Sequence, residues 1–498
     1  MSAKIFCSPL LARRVCLQVA AAFVGSVGLA AGCRSALPPS ASRLPSPSSS
    51  VSRAGDTEKP FAPVRFDARG DEALAVRVRS AAPVGAKTES SQLPANATLD
   101  DYRSFAALHH QGLKALYHEW QASAERGTQR RGLPEPNLTY SNYIESVETR
   151  TGPQENAYGI SQRLPWFGKI LLDGSIADRE AQVAYQRFLA VRLALDYRLR
   201  TSFAEYYYLG KSIEVTEESV ELLTQLERVA RERLAAGAQS HPDVVRLQIE
   251  IGRLEDDLES ARDLRRPMSA QLNSLLSRRG GEEIAWPESL PDDGLAFDPK
   301  QLLEELESDN PELVALQHEV DRALLGKKRA FQEYFPDVSV GVQTIDTGSA
   351  RVPGSPDSGD DPWIVTFNVE VPLWYYKYRA GEREAAERLL AKKLQQSDKR
   401  HTLRAALELA LHHYRRAGRR MTRYRDELIP KAADSLSTTE AAFRAGSADF
   451  LALIDAERVL LEFQLEAERA LADRLCARAN IDRLIGRSII PPPKEVKS

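Results

Sequence analysis

The sequence predicts a mainly α-helical protein with a small β part, in which one structural unit occurs twice. Each unit contains two short strands of alternating apolar and polar residues, closed by a proline beside aromatic residues. A proline-poor helical run follows each pair, over 168–236 and over 375–445. Repetition on this scale indicates a duplicated supersecondary unit. The predicted strands are 137–145, 157–164, 337–345 and 363–371.

The strands carry the clearest membrane signal. Val338, Val340 and Val342 alternate with small or polar residues, which is typical of a transmembrane β-barrel with an apolar outside and a polar lumen. A soluble half-buried hairpin has the same period, but two equivalent pairs behind a signal peptide favour the membrane. Four strands leave two edges whose backbone groups lack partners in lipid, so several chains must contribute. Two copies give a filled eight-stranded barrel, and three give twelve strands around a pore.

The composition and the N-terminal segment indicate the cellular location and restrict the binding partners of the protein. The 498 residues carry a net charge of −3, which gives no electrostatic reason to expect nucleic acid as a partner. Residues 1–32 are predicted to be a signal peptide, with a basic start and an apolar core at 15–31. The core ends in LAAGC, which resembles a lipoprotein signal and predicts lipidation of Cys33; cleavage that leaves a free thiol is the alternative. Residues 33–97, rich in Ser, Pro and Ala, are predicted to be a flexible tether.

Motifs for catalysis or cofactors are missing from the sequence. It has no Gly-rich phosphate loop, no HExxH and no CxxC, and the helical residue Cys476 is interpreted as a small packing residue. We therefore expect no enzyme activity, no cofactor and no metal site.

The lengths of the helical segments predict which helices pack side by side. At about 1.5 Å per residue, 168–236 would extend roughly 100 Å, and two shorter helices stacked end to end would match that length. Pro430 is expected to kink the second long run rather than end it. The predicted short helices are 99–130, 243–278, 311–334 and 449–485. The predicted domains are a first repeat at 98–278, a linker or equatorial segment at 279–309, a second repeat at 310–490 and a tail at 491–498.

Three short motifs occur in the order and spacing of a known family. Gln162 and Pro165 lie between strand and long helix, Asn310-Pro311 with Leu313 starts the second half, and Gly237 precedes an Asp243-Val244 step. Over nearly all of 98–490 the chain resembles the TolC-like outer-membrane efflux channels. The resemblance implies a trimer, with a twelve-stranded barrel in the outer membrane and an α-helical barrel across the periplasm. It also implies an exit duct that docks on a periplasmic adaptor and serves an inner-membrane transporter.

The resemblance also assigns roles at the helix turns farthest from the strands. It implies a periplasmic gate at Asp243 and Asp455, where carboxylates from three copies would repel one another and favour cations. A solvated surface aspartate is the alternative for Asp455. The family's gate tyrosine and arginine are replaced here by Phe443 and Ala448, so we hypothesise that Arg444 substitutes. The predicted adaptor-contact residues are Arg233, Gly237, Gly446 and Asp449.

Two other protein classes share some of these features. A periplasmic adaptor has a helical hairpin and a lipoprotein signal, but it would show one hairpin between Gly- and Val-rich β-domains. A coiled-coil scaffold of an envelope assembly would leave both proline-bounded strand pairs unexplained. The sequence does not identify the transported substrate.

Overall fold

The computed structural model describes residues 93–94, 97–236, 240–291, 298–445, 447–448 and 450–487. The signal peptide, Cys33 and the tail lie outside these residues, as do Gly237, Gly446 and Asp449. The helices are α1 Leu99–His109, α2 Gln111–Arg131, α3 Phe167–Ala235, α4 His241–Leu275, α5 Pro299–Asp309, α6 Pro311–Phe331, α7 Tyr375–Arg423, α8 Ile429–Ala445 and α9 Phe450–Leu484. The strands are β1 Asn137–Glu148, β2 Pro153–Leu164, β3 Asp337–Thr347 and β4 Trp363–Glu370.

The four predicted strands form one antiparallel sheet in the order β1-β2-β3-β4. Hairpins join β1 to β2 and β3 to β4, and the pairing of β2 with β3 joins the two repeats. β1 and β2 each run several residues farther toward their connecting turn than the alternation predicts. The mainly helical class with a small β part is confirmed.

One face of the sheet is apolar from edge to edge. The register aligns Leu138, Ile160, Val342 and Val365 across all four strands. Partners in register share a face, so the predicted alternation of the separate strands becomes one continuous surface. Within the single chain this surface is largely exposed, and Leu138 keeps 76% of its accessible area.

The helices form an arc beside the sheet. Near the sheet, α2 packs on α3, α3 on α6 and α6 on α7. Farther away, α4 packs on α3, α3 on α9 and α9 on α7. Each long helix therefore has two short companions, as the lengths predict, and α7 forms one edge of the arc along most of its length. The other edge is α2 and then α4, on the side of β1.

The prediction of one helix over 99–130 is wrong, because the chain breaks at His110. That residue has an extended conformation, and its Nδ1 accepts a hydrogen bond from the Leu113 backbone N–H at 3.1 Å. The imidazole thus satisfies one of the unpaired N–H groups at the start of α2. Histidine is not among the usual N-cap residues, so the helical pattern gives no sign of the break.

As the sequence predicts, Pro430 does not end the second long helical run. A π-helical segment, Tyr424–Leu428, joins α7 to α8, and the helical run continues to Ala445. Proline has no N–H to donate to the preceding turn, and the wider π turn accommodates that loss.

Asn310 caps α6 as predicted and also ties it to the end of α9. Its Oδ1 accepts hydrogen bonds from the N–H groups of Glu312 and Leu313, at 2.9 and 3.1 Å. Its Nδ2 donates to the Leu484 carbonyl at 2.8 Å. The linker helix α5 packs nearby through Leu302 and Leu306 against α7, α6 and the end of α9.

Across the described ranges, none of the helices has the length and apolar character needed to cross a membrane.

Candidate functional site: the sheet, its junction and the helix tip

Aromatic residues mark the limit of the apolar face at the end of the sheet that lies away from the helices. Tyr140 and Tyr158 pair across β1 and β2, with ring centroids 5.4 Å apart, and Trp363 lies on the same face of β4. The next residues along this face are polar. Asn156 Oδ1 accepts hydrogen bonds from the Tyr140 hydroxyl at 3.0 Å and from Asn142 at 2.9 Å, and its Nδ2 donates to Asp346 at 3.1 Å.

A second group of exposed aromatics lies where the sheet meets the helices. Trp166 and Phe167 follow β2, and Trp374 and Tyr376 follow β4. Aromatic side chains of this kind are enriched at the two surfaces of a bilayer. The apolar surface between two aromatic belts therefore has the organisation of a membrane-spanning barrel segment.

Between the sheet and the helices, the two repeats are tied together at Asp337. One carboxylate oxygen accepts from Lys169 Nζ at 2.8 Å and from the Trp166 backbone N–H at 3.0 Å. The other oxygen accepts from Arg163 at 3.0 Å. Lys169 and Asp337 are both buried, so each supplies the charge that the other needs in a site with little water.

The same junction contains two further contacts. Lys169 Nζ donates to the Phe335 carbonyl at 3.1 Å, and the Phe335 ring stacks on Trp166 with centroids 5.0 Å apart. The segment from β2 into α3 is thereby fixed to the segment from α6 into β3. Sequence reasoning missed this site. The only signal was a charged residue close to each proline, Lys169 after Pro165 and Asp337 after Pro336.

A buried ion-pair network lies midway along the helices. Arg103 contacts Asp196 through two hydrogen bonds of 2.5 and 3.1 Å. Arg200 pairs with Asp482 of α9 at 2.6 Å and approaches Asp196 at 3.8 Å. The network joins α1, α3 and α9, so it fixes the first repeat to the second at this level. Sequence reasoning did not identify these residues.

At the far end of the helices, Arg233 joins the end of α3 to the end of α8. Its guanidinium lies 4.5 Å from the centroid of the Phe443 ring and donates to the Arg444 carbonyl at 2.7 Å. Phe443 is buried and packs against Phe450, with ring centroids 5.5 Å apart. The place that the resemblance gives to a tyrosine is thus filled by an apolar ring beneath an arginine.

Among the described residues, the predicted gate residues Arg444 and Asp243 each form a contact within their own stretch of chain. Arg444 pairs with Glu440 on its own helix, and Asp243 accepts from the Ser240 hydroxyl at the start of α4. Asp455 is exposed on α9. A contact of Arg444 with Asp243 of a neighbouring copy, and a ring of Asp455 carboxylates, therefore remain predictions.

Close to Asp455, α9 carries a buried carboxyl that sequence reasoning missed. Glu457 is only 3% exposed and lies between the buried residues Ile454 and Leu461 of its own helix. Burial raises the pKa of Glu457 to about 7; the Glu250 carboxylate of α4 adds to the rise, and Arg458 opposes it. Glu250 itself pairs with Arg458 at 2.9 Å. The tip thus contains an acid that titrates near neutral pH.

In the described part of the chain, no group of three or more His, Cys, Asp or Glu side chains is arranged to hold a metal ion.

Comparisons with known proteins agree with this geometry. The family model described as outer membrane efflux protein matches residues 302–487. The cobalt-zinc-cadmium resistance protein CzcC of Cupriavidus metallidurans is 24% identical over 409 residues, which cover 78% of this chain and 90% of CzcC.

Solved structures show the same fold. The outer membrane protein VceC of Vibrio cholerae superposes with a TM-score of 0.65 at 16% identity, covering 78% of this chain and 96% of VceC. The open state of the MtrE outer membrane channel of Neisseria gonorrhoeae gives a TM-score of 0.63 at 16% identity, over 78% of this chain and 89% of MtrE.

The apolar sheet, its aromatic belts and the long helical arc define a barrel-forming envelope protein. With the outer membrane efflux protein domain matched over 302–487 and the 24% identical CzcC relative, they indicate an outer-membrane efflux channel that resembles the TolC-like type. It is an exit channel of the outer membrane that extends into the periplasm, and proteins of this family are transporters rather than enzymes. The adaptor and scaffold alternatives are set aside.

Proposed function

We propose that three copies of this chain form the outer-membrane duct of a tripartite pump that exports divalent transition-metal cations. In this proposal the duct docks on a periplasmic adaptor and receives cargo from an inner-membrane transporter.

The four-stranded sheet is the observation that supports a trimer. β1 and β4 are the outer strands of a four-stranded sheet whose apolar face is exposed in the single chain. In hydrocarbon, the free N–H and C=O groups of both edges require partners, and strands of neighbouring copies supply them. Three copies give twelve strands, which is enough to enclose an aqueous channel.

The metal cargo is supported by the CzcC relative, whose name records resistance to cobalt, zinc and cadmium. The predicted gate is consistent with cations, because Asp243 and Asp455 repeated by threefold symmetry would line the tip with carboxylates. The docking surface for the adaptor is proposed at the helix tips, around Arg233 and the turns at Gly237, Gly446 and Asp449. Lipidation of Cys33 would add an anchor in the same membrane.

Two measurements test this proposal. Deleting the chain from its native cell is expected to lower tolerance to zinc, cobalt and cadmium, and tolerance to an organic dye serves as the matched control. Native mass spectrometry of the detergent-purified protein is expected to show a trimer. Dye sensitivity with unchanged metal tolerance would overturn the metal assignment, and a purified monomer would overturn the trimer.

A further inference from the structure

The two edges of the helical arc carry opposite charge on their free sides. In the half of the molecule away from the sheet, α4 and α7 are the outermost helices, because α3 and α9 lie between them. The side of each edge helix that faces away from its own chain is available to another molecule. Those two sides differ sharply in composition.

The free side of α7 is basic. Residues 409–425 contain six arginines and no acidic residue. Arg416, Arg419 and Arg423 recur at helical spacing, so they lie on one side of α7, opposite Tyr414 and Met421, which face the core. All three arginines are exposed, and none forms an ion pair with another residue of the described ranges.

The free side of α4 is acidic over residues 256–263, before the exposed Arg266 follows on the same side. Asp256, Glu259 and Asp263 lie on one side of this helix, opposite the buried residues Leu254 and Leu258. All three are exposed, and within the described residues none has a cationic partner. We call these two sets the basic stripe of α7 and the acidic stripe of α4.

The two stripes lie at the same level along the helices. Arg420 pairs with Glu466, which places the middle of the basic stripe beside that part of α9. Arg458 of α9 contacts Glu250 of α4 at 2.9 Å, and both helices run from the tip toward the sheet. In α9, Glu466 follows Arg458 by eight residues, and in α4, Leu258 follows Glu250 by eight residues. Glu466 therefore lies level with Leu258, in the middle of the acidic stripe.

We propose that the basic stripe of α7 in one copy binds the acidic stripe of α4 in the next copy, and that this contact closes the helical barrel. The inference rests on the proposed oligomeric channel and names the surfaces that form it. A contact between two different faces repeats head to tail and closes into a ring. The charges fix the vertical register of neighbouring copies, because a shift along the axis leaves arginines without carboxylates.

Charge reversal tests the contact. The triple variant R416E/R419E/R423E and the triple variant D256K/E259K/D263K are each expected to lose part of the thermal stability of the wild-type trimer, measured by native mass spectrometry of heated samples. The chain with all six substitutions is expected to regain it, because the reversed stripes match again. The control is E218K/E221K on the exposed side of α3, which has its own chain on both flanks; it is expected to keep the thermal stability of the wild-type trimer.

The outcomes separate this interface from the proposed function. Reversed triples whose trimers are as heat-stable as the wild type, or a sixfold variant that stays as unstable as the triples, overturn the stripe contact and leave the channel proposal intact. A monomeric wild type overturns both. If a reversed triple loses its helical circular dichroism, R416Q/R419Q/R423Q replaces it. That variant is expected to lose the salt-dependence of wild-type trimer dissociation, and unchanged salt-dependence overturns the contact.

Discussion

The membrane end and the tip of the molecule are held by different kinds of contact. At the membrane end, Asp337 accepts from Lys169, Trp166 and Arg163, and the buried pair joins both repeats. At the tip, one arginine bridges two helix ends over a phenylalanine, and the nearby acid Glu457 is buried, with its pKa raised to about 7 by burial. The junction is thus held by a buried ion pair, whereas the Arg233 contact at the tip lies at the surface above a buried apolar cluster.

The largest expected effect is at the junction. Asp337→Ala leaves the buried Lys169 with only the more distant Glu333 carboxylate, at 3.8 Å, so we expect a loss near the lower end of about 3–5 kcal/mol in the free energy of unfolding. Denaturant unfolding followed by circular dichroism measures it. In a Lys169→Met background the same substitution is expected to cost clearly less. Equal costs in both backgrounds would mean that the ion pair does not fix this end.

The second effect distinguishes the two faces of the sheet. Val365→Lys places a charge on the apolar face, where the cost is about 2–4 kcal/mol near the middle of a bilayer. The adjacent Thr366→Lys points to the other face and is expected to cost much less. The measurement is the free energy of folding into lipid vesicles. Similar costs for both variants would contradict the assignment of the lipid-facing surface.

The third effect concerns pH at the tip. Burial raises the pKa of Glu457 to about 7, above the ordinary value of 4.5, so the folded state holds this proton more tightly than the unfolded chain. Stability is therefore expected to fall as pH rises from 4.5 to 7, by about 3 kcal/mol in total. Glu457→Gln should remove most of that fall. Thermal melting at pH 5 and pH 8 measures it, and an equal pH dependence in the variant would refute the assignment.

The smallest effect compares two arginines of the tip. Arg233→Ala loses a cation–π contact and a hydrogen bond, worth about 1 kcal/mol at an exposed site, and should raise leak conductance in a planar bilayer. Arg444→Ala breaks a pair with Glu440 whose arginine side chain is 70% exposed, so within one chain it is worth only a few tenths of a kcal/mol. A larger leak from Arg444→Ala would instead support its hypothesised role between copies.

The sequence was sufficient for features that repeat locally. Alternation located the strands within a few residues, and the cap at Asn310 follows from a side chain that bonds the backbone just after it. The break at His110 was missed because it depends on an imidazole accepting a backbone N–H. Continuation through Pro430 was predicted, but the π segment that allows it was not.

The buried charges were missed for a different reason. Lys169 and Asp337 are far apart in the chain, and so are Arg200 and Asp482. Their pairing depends on how the two repeats pack, which no local pattern encodes. Glu457 has the spacing of a core position, but its residue type suggested a surface. Its burial became evident only from the packing of α9 against its neighbours.

The polar row of Asn142, Asn156 and Asp346 has a consequence for the choice of lipid. Together with Leu164 at the end of β2 it sets the upper and lower limits of the apolar wall, which spans about 27 Å along strand β2 and less along the bilayer normal once the strands tilt. Such a wall suits a thin bilayer, and the bacterial outer membrane is thinner than average. Thick synthetic lipids would leave acyl chains against amides and carboxylates, so hydrophobic mismatch is expected to favour short-chain lipids in reconstitution.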